Sequence, residues 1–286
     1  LHLYPGFYPQ KRILRSYQNR AGSNVIGFIG EAGVSFIKDN PSYSQGDLIG
    51  KTGIEKSYED ILKGKTGQIY NLVDVHNRTQ GSYENGAYDT LPQPGKHVTA
   101  TIDIDLQALG EELMRNKRGS IVAIEPSSGE ILSLVTSPNY DANLMVGSER
   151  TVNYSKLYLD SINKPLFDRG LLAEYPPGSP FKVINALIGL QEGVTKENTT
   201  FHYGRLHVAC HCGTSSPIAL RLAISKSCNN YFCQVFKSII EKYPTAQEGM
   251  DVWSNHVKSF NMGRFLNNDL PTGRKGLVPN ADYYDK

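Results

Sequence analysis

Ser179 and Lys182 stand three residues apart at the start of an apolar segment, an arrangement that can turn a serine into a nucleophile. The residues before them, 175–178, read Tyr-Pro-Pro-Gly and favour a turn. Pro180 suits the first position of a helix, where its missing N–H is not needed. We therefore expect Ser179 to cap a helix that continues to Gln191.

The environment predicted for Lys182 favours its action as a base. Lys182 is the only charged residue in 181–191, and apolar residues fall on every face of that helix. Such a pattern is typical of a buried helix, and burial disfavours the ammonium form of a lysine. A neutral amine one turn from a hydroxyl can take its proton. We predict that Ser179 is the nucleophile and that Lys182 is its general base.

The same Ser-x-x-Lys spacing occurs twice more, and neither copy has these surroundings. Ser35–Lys38 leads into a polar turn, and Ser161–Lys164 runs directly into Pro165, which disfavours helix at the lysine. Neither copy places its lysine in an apolar helix. The catalytic assignment therefore goes to the third copy.

A second polar pattern, Ser227-Cys228-Asn229, begins 48 residues after Ser179. Ser-x-Asn also occurs at three other serines, which are Ser137, Ser161 and Ser259. Only the copy at Ser227 follows the candidate nucleophile within an apolar segment, predicted as a helix over about 218–240. A hydroxyl, together with an amide that both donates and accepts, can hold a peptide beside its scissile bond.

Four cysteines lie late in the chain, at Cys210, Cys212, Cys228 and Cys233. The neighbouring histidines are His202, His207 and His211. The spacing matches no common zinc pattern, and side chains five apart on a helix, as at Cys228 and Cys233, point about 140° away from each other. A zinc site, disulfides and free buried thiols all remain open from the sequence.

Composition excludes some classes of protein. The net charge of +2 gives no electrostatic reason to bind nucleic acid. No run approaches 18 apolar residues, so we expect no membrane span within these 286 residues. The chain begins with Leu1 rather than Met, and we expect that an upstream segment, which could include an anchor, has been removed.

The pattern along the chain predicts two parts, divided near residue 95. Up to that point short apolar runs alternate with glycine, tyrosine and polar residues, and Leu91–Gly95 resembles a linker. The elements predicted here are a strand at 25–30, a helix at 56–63 and a strand at 68–75. Those predicted beyond it are a strand at 97–102, a helix at 106–114 capped by Asp103, a hairpin of 120–125 with 130–135, and Gly- and Pro-rich chain after 240. Strands followed by a block of helices indicate an α+β fold.

The two motifs and their surroundings resemble the penicillin-binding proteins and serine β-lactamases. Tyr-Pro-Pro-Gly-Ser-x-Phe-Lys over 175–182, the hairpin at 119–131, Thr-Ile-Asp-x-x-Leu-Gln over 101–107 and Ser-Cys-Asn-x-Tyr-Phe over 227–232 are similar to class B penicillin-binding proteins. In the first part, 27–31 and 50–56 resemble the pedestal module of that class. The resemblance covers the whole chain and is strongest to the elongation type, penicillin-binding protein 2.

The resemblance implies a β-rich pedestal, or dimerisation-type module, over 1–95 and a partial transpeptidase domain over 96–286. It implies a serine D,D-transpeptidase that cross-links peptidoglycan stem peptides, is acylated by β-lactams and uses no cofactor or metal. Ser179 would attack, Lys182 would act as base, Ser227 would relay a proton and Asn229 would hold the substrate amide. It also implies an inner-membrane anchor upstream, a periplasmic location, and partners that include a SEDS-type glycosyltransferase and other elongation-machinery proteins.

One departure from the family pattern concerns its third motif, a Lys-Thr/Ser-Gly strand after Ser-x-Asn. The chain has Lys51-Thr52-Gly53 and Lys65-Thr66-Gly67, both upstream of Ser179, and none after Asn229. We therefore expect the last strands and helix of the domain to be missing and this piece alone to be inactive. A serine β-lactamase or D,D-carboxypeptidase, and a non-catalytic β-lactam sensor or scaffold, remain as alternatives.

Overall fold

The computed structural model describes residues 14–76, 78–202, 208–210, 212 and 217–284. The chain divides into two compact units, one of residues 1–173 with 268–273 and one of 174–267 with 274–286. Mixed helices and short antiparallel strands confirm the α+β prediction. The predicted domain boundary near residue 95 stays a prediction.

The first unit is built from short elements around small apolar clusters. Its helices are α1 Ser23–Ile26, α2 Val34–Asp39, α3 Gly53–Ser57, α4 Glu59–Leu62, α5 Ile104–Leu113, α6 Arg150–Leu159 and α7 Arg169–Leu172. Its strands are β1 Ile29–Glu31, β2 Leu48–Gly50, β3 Asn71–Val73, β4 Thr79–Ser82, β5 Gly119–Ile124 and β6 Ile131–Ser137. They pair in chain order as three two-stranded antiparallel sheets, β1–β2, β3–β4 and β5–β6.

Helix α5 packs on the β5–β6 hairpin through one buried glutamine. The side chain of Gln107 accepts from the Ser133 hydroxyl at 3.0 Å and the Leu134 N–H at 2.8 Å, and donates to the Leu134 carbonyl at 3.1 Å. Asp103 caps the helix as expected, accepting from the first free N–H groups of the helix. Helix α5 lies close against β6 at Gly110, where a Cβ would be only 2.7 Å from Val135 Cγ2.

The predicted hairpin and Asp103 cap are confirmed, and other boundaries in the first unit are wrong. The strand predicted at 25–30 begins only at Ile29, because 23–26 form a helical turn. The helix predicted at 56–63 is divided at Tyr58, and the strand predicted at 68–75 covers only Asn71–Val73. No strand forms at 97–102, where the Thr101 hydroxyl and the Asp103 N–H bond to β6 instead.

The second unit is a helical cluster with one pair of short antiparallel strands. Its elements are α8 Phe181–Gln191, β7 Thr200–Phe201, β8 Ile218–Ala219, α9 Leu220–Ser225, α10 Asn229–Glu241, α11 Ala246–Ser259 and α12 Ala281–Tyr284. The fully buried residues Ile188, Ala223, Tyr231, Val235 and Ile239 lie at the centre of its core. The predicted helix over 218–240 is interrupted between α9 and α10. The prediction of Gly- and Pro-rich chain after 240 is wrong over 246–259, where α11 forms in a stretch with one glycine and no proline.

Helix α8 is fixed between α10 and α11. A Cβ at Gly189 would lie 2.7 Å from Val235 Cγ1, so α8 and α10 approach closely at this glycine. Trp253 of α11 donates from Nε1 to Asn185 Oδ1 at 2.8 Å and packs edge-on against Phe181. These contacts set the direction in which the first turn of α8 points.

In the described residues no helix has the length and apolar character needed to cross a membrane.

The far end of α8 is held by an acidic hub at Glu192. Its carboxylate accepts from Lys242 at 2.8 Å and Tyr243 at 2.7 Å, and contacts His256 Nε2 at 2.7 Å. The hydrogen bond from Lys242 is the main cause that lowers the pKa of Glu192 to about 2, against the opposing effect of burial. The hub joins the ends of α8 and α10 to α11.

We predict that Gln107→Ala destabilises the first unit by about 2–3 kcal/mol, because the Leu134 peptide groups lose buried partners. Faster hydrogen exchange at β6 and a lower melting temperature would show this. Glu112→Ala on the same helix removes a side chain that is 57% exposed and is the matched control. Equal effects of the two substitutions would contradict the role of Gln107.

We predict that Glu192 makes stability depend on acid pH. Its folded pKa of about 2 lies below its ordinary value of about 4.5, so the ionised carboxylate stabilises the fold above pH 4.5. That contribution is lost as the pH falls through 2. We expect Glu192→Gln to cost about 1–2 kcal/mol at pH 6, a value reduced for the exposure of Lys242, and almost nothing near pH 2.

Urea unfolding followed by the fluorescence of Trp253, the only tryptophan, measures this difference in the second unit. A cost of Glu192→Gln that stays constant from pH 6 to pH 2 would show that ionisation is not the cause.

Candidate active site

Ser179 lies at the entry of α8, with Gly178 before it in the left-handed region at φ 65°. The helix begins at Phe181, two residues after the serine, and Ser179 forms a turn with Pro180. The predicted side-chain cap is therefore wrong: the Ser179 hydroxyl bonds to no helix N–H and turns toward Lys182. Ser179 is exposed and Lys182 is half-buried.

The prediction that α8 is buried on every face is also wrong. Val183, Leu187 and Leu190 are 42–48% exposed, whereas Ala186 and Ile188 are buried against the helical cluster. The packing of α9, α10 and α11 covers one side of α8. Lys182 lies near the edge of that covered side, so it is less desolvated than the sequence pattern indicated.

The Ser-x-Asn motif forms the break between α9 and α10. The Cys228 N–H donates to the Ala223 carbonyl at 2.9 Å and the Ser227 N–H donates to the Ile224 carbonyl at 3.0 Å. This pair of bonds is a Schellman ending, in which the residue at the position of Ser227 is left-handed and is usually glycine. Ser227 has φ 49°, a strained conformation for a residue other than glycine. In this conformation its carbonyl and hydroxyl face Lys182 of α8.

Lys182 joins the two motifs. Its Nζ lies 3.2 Å from Ser179 Oγ, 2.9 Å from Ser227 Oγ, 2.7 Å from the Ser227 carbonyl oxygen and 2.5 Å from Asn229 Oδ1. The two hydroxyls also bond to each other, with Ser227 Oγ 3.0 Å from Ser179 Oγ. One amine and two hydroxyls thus form a closed triangle in which each pair is within proton-transfer distance.

The structure therefore brings together all four predicted site residues, which are Ser179, Lys182, Ser227 and Asn229. Their roles in a reaction stay predictions. The competing serines Ser35 and Ser161 and both Lys-Thr-Gly sequences belong to the first unit, and this group of four belongs to the second.

Sequence reasoning missed one group at the site, the main chain of Ala209. Its carbonyl accepts a hydrogen bond from Asn229 Nδ2 at 2.8 Å. The Asn229 amide is thereby held from both ends, with Oδ1 on Lys182 and Nδ2 on Ala209. No side-chain pattern could reveal this contact, because the acceptor is a backbone oxygen.

Three thiols converge behind the Ser-x-Asn motif. The Sγ atoms of Cys210 and Cys212 are 2.8 Å apart, those of Cys212 and Cys228 2.9 Å, and those of Cys210 and Cys228 3.5 Å. Three cysteines grouped in this way offer thiolate ligands of the kind that bind Zn²⁺. All four cysteines are free thiols in the structure, and Cys233 stands outside the cluster. His207 and His211 lie outside the described residues.

Two family models match the chain. The model described as penicillin binding protein transpeptidase domain matches residues 119–286, and the model described as penicillin-binding protein dimerisation domain matches residues 1–100. These matches confirm the family predicted from the motifs.

Relatives and solved structures agree with the family models. A peptidoglycan D,D-transpeptidase MrdA of Acinetobacter baumannii is 32% identical over 98% of this chain and 41% of its own length. A structure of penicillin-binding protein 2 with MreC from Helicobacter pylori has a TM-score of 0.78 at 30% identity, over 96% of this chain and 51% of that one. Pseudomonas aeruginosa penicillin-binding protein 2 with WCK 5153 gives 0.73 at 28% identity, over 96% and 57%. The chain thus spans less than half the length of the curated relative.

We predict that Ser227→Gly leaves the second unit more stable than Ser227→Ala by about 1 kcal/mol, because only glycine adopts positive φ without strain. Both variants lose the hydroxyl, so the comparison isolates the backbone. Urea unfolding followed by Trp253 fluorescence measures the difference. An alanine variant as stable as the glycine variant would show that the left-handed turn at 227 carries no strain.

Proposed function

The chain belongs to the penicillin-binding protein transpeptidase family, and from that membership we propose that it supplies the nucleophile and base of a peptidoglycan D,D-transpeptidase. The substrate is a stem peptide that ends in two D-alanines. The observation that carries the proposal is the position of Lys182 Nζ, within hydrogen-bond distance of both the Ser179 and the Ser227 hydroxyls.

The four neighbours of Lys182 are two oxygens that can only accept a hydrogen bond and two hydroxyls that can also donate one. A neutral amine has two N–H donors and one lone pair. Two of its neighbours, the Ser227 carbonyl and Asn229 Oδ1, can only accept, so they take the two donors. The lone pair is left for the hydroxyls, and Lys182 can accept the proton of Ser179.

Acylation then proceeds in balanced steps. Ser179 Oγ attacks the carbonyl between the two D-alanines while its proton passes to Lys182, directly or through Ser227. The backbone N–H of Ser179, which donates to no described group, stabilises the developing oxyanion. Ser227 returns the proton to the nitrogen of the leaving D-alanine, and the peptide remains as an ester of Ser179.

A second amine completes the reaction. An amino group of a neighbouring stem peptide attacks the ester carbonyl and gives up a proton to the Lys182–Ser227 pair. The pair passes that proton to Ser179 Oγ as the ester bond breaks, so a new peptide bond forms and Ser179 is restored. Asn229 holds the backbone amide of the donor peptide with its second amide N–H, since Ala209 accepts only one. β-Lactams react with Ser179 as substrate analogues and remain bound as esters.

The wider setting is also a proposal. We assign residues 1–95 to a pedestal of dimerisation type and 96–286 to the transpeptidase domain. The Helicobacter pylori relative was solved with MreC, which supports partners in the cell-elongation machinery. A SEDS-type glycosyltransferase, an anchor in the inner membrane, a periplasmic site of action and a role in cell shape complete the proposal.

Labelling of the full-length protein with a fluorescent penicillin tests the function. We predict that Ser179→Ala abolishes the stable adduct and that Lys182→Met slows its formation by about 10³-fold, the usual contribution of a general base. Ser161→Ala is the matched control, because Ser161 begins a second Ser-x-x-Lys sequence, and it should label normally. An adduct that survives in Ser179→Ala would disprove the assignment.

The lifetime of the adduct separates the alternatives. Rapid hydrolysis of the drug indicates a β-lactamase or carboxypeptidase. A stable adduct without cross-linking of D-Ala-D-Ala peptides indicates a sensor or scaffold. A stable adduct together with cross-linked product supports the transpeptidase.

A further inference from the structure

We propose that the thiol cluster of Cys210, Cys212 and Cys228 is a positioning device for Asn229, acting through the carbonyl of Ala209. The inference rests on the proposed function only for its effect on acylation, since the positioning itself is a structural claim.

The first step is the contact between the cluster and the active site. Cys228 is the middle residue of Ser227-Cys228-Asn229 and its thiol points away from the two polar side chains into the core, where it is 1% exposed. Its Sγ also accepts the Tyr231 N–H at 3.4 Å, as the cap of α10. The motif is therefore fixed on its inner side by a sulfur.

The second step is the segment that the other two sulfurs hold. Cys212 is buried in the same core, and Cys210 is half-buried. Cys212 Sγ is 2.8 Å from Cys210 and 2.9 Å from Cys228, so it is the central atom of the cluster. The backbone N–H of Asn230 also bonds to the Cys210 thiol. Ala209, Cys210 and Cys212 are thus each joined to residues at the start of α10.

The third step connects this segment to catalysis. Ala209 immediately precedes Cys210, and its carbonyl is the acceptor for Asn229 Nδ2 at 2.8 Å. That bond decides which end of the amide faces Lys182, because Oδ1 must then lie toward Nζ. If the segment moves, Asn229 is free to rotate, and both its contact with Lys182 and its free N–H lose their direction.

The thiol cluster thus fixes the rotation of the Asn229 amide, which α10 by itself leaves free. A side chain in the first turn of a helix is positioned at its Cβ, but the rotation of its terminal amide depends on a partner outside the helix. Here the partner is the main-chain oxygen of Ala209, and the sulfurs of the neighbouring Cys210 and of Cys212 hold it in place.

Cys212→Ser removes the central sulfur and is the test variant. Cys233→Ser, on α10 but outside the cluster, is the matched control, and Cys210→Ser is the second variant should Cys212→Ser not fold. Crystal structures come first because they need no activity. We expect the 2.8 Å bond between Asn229 and Ala209 to be lost in the test variant and kept in the control. Retention of that bond in Cys212→Ser and Cys210→Ser would overturn the proposal, whether or not the protein reacts with penicillin.

Acylation rates of the full-length protein give the second readout. Benzylpenicillin carries an acylamino group for Asn229 to hold, and 6-aminopenicillanic acid lacks it. We expect Cys212→Ser to lower the second-order acylation constant about 10-fold for the first compound and by a clearly smaller factor for the second, because both reactions lose the contact between Asn229 and Lys182 and only the first also loses the contact with the acylamino group. A purely structural defect would lower both equally.

The double variant completes the test. If the cluster acts through Asn229, Cys212→Ser adds almost nothing in the Asn229→Ala background, whereas independent effects would multiply. Multiplying effects would overturn the proposal. Wild-type protein that reacts with neither compound would instead count against the proposed function, and the crystallographic comparison would still decide the positioning.

Discussion

The hydrogen bonds of one side chain, Lys182, form only when the helices of the second unit pack in their correct relative positions. Its four oxygen neighbours come from the entry of α8 and from the break between α9 and α10, segments 45 or more residues apart. A shift of α8 by a single ångström would take Nζ out of reach of some of them, because hydrogen bonds weaken steeply with distance. The packing of the helical cluster is therefore a requirement of the site.

Both ends of α8 are tied down to meet that requirement. Gly189 lets α8 lie close against α10, and the indole of Trp253 holds Asn185 and Phe181 near the entry. At the other end Glu192 binds side chains from the end of α10 and from α11. The helix is thus restrained along its length, and the direction of Lys182 follows from these restraints.

The backbone conformation of Ser227 at the site is strained, and contacts with neighbouring residues offset the free energy that it costs. Ser227 is held in a left-handed conformation that a glycine would adopt more easily, and its hydroxyl and carbonyl both face Lys182 as a result. The Schellman bonds to α9 and the thiol of Cys228 in the core keep the turn in place. Strain that persists beside a reactive group, supported by the surrounding structure, is common at functional sites.

What the sequence determined by itself is local or depends on motif order. The Asp103 cap, the hairpin β5–β6 and the extent of α8 follow from side chains a few residues apart, and the order of Ser179, Lys182, Ser227 and Asn229 indicated the family. Only the tertiary structure decided that the helix over 218–240 breaks at Ser227, that Ala209 orients Asn229, that three thiols meet and that one face of α8 is exposed. Local propensity cannot reveal these features, because each depends on which distant backbone or side-chain atoms the folded chain brings within a few ångströms.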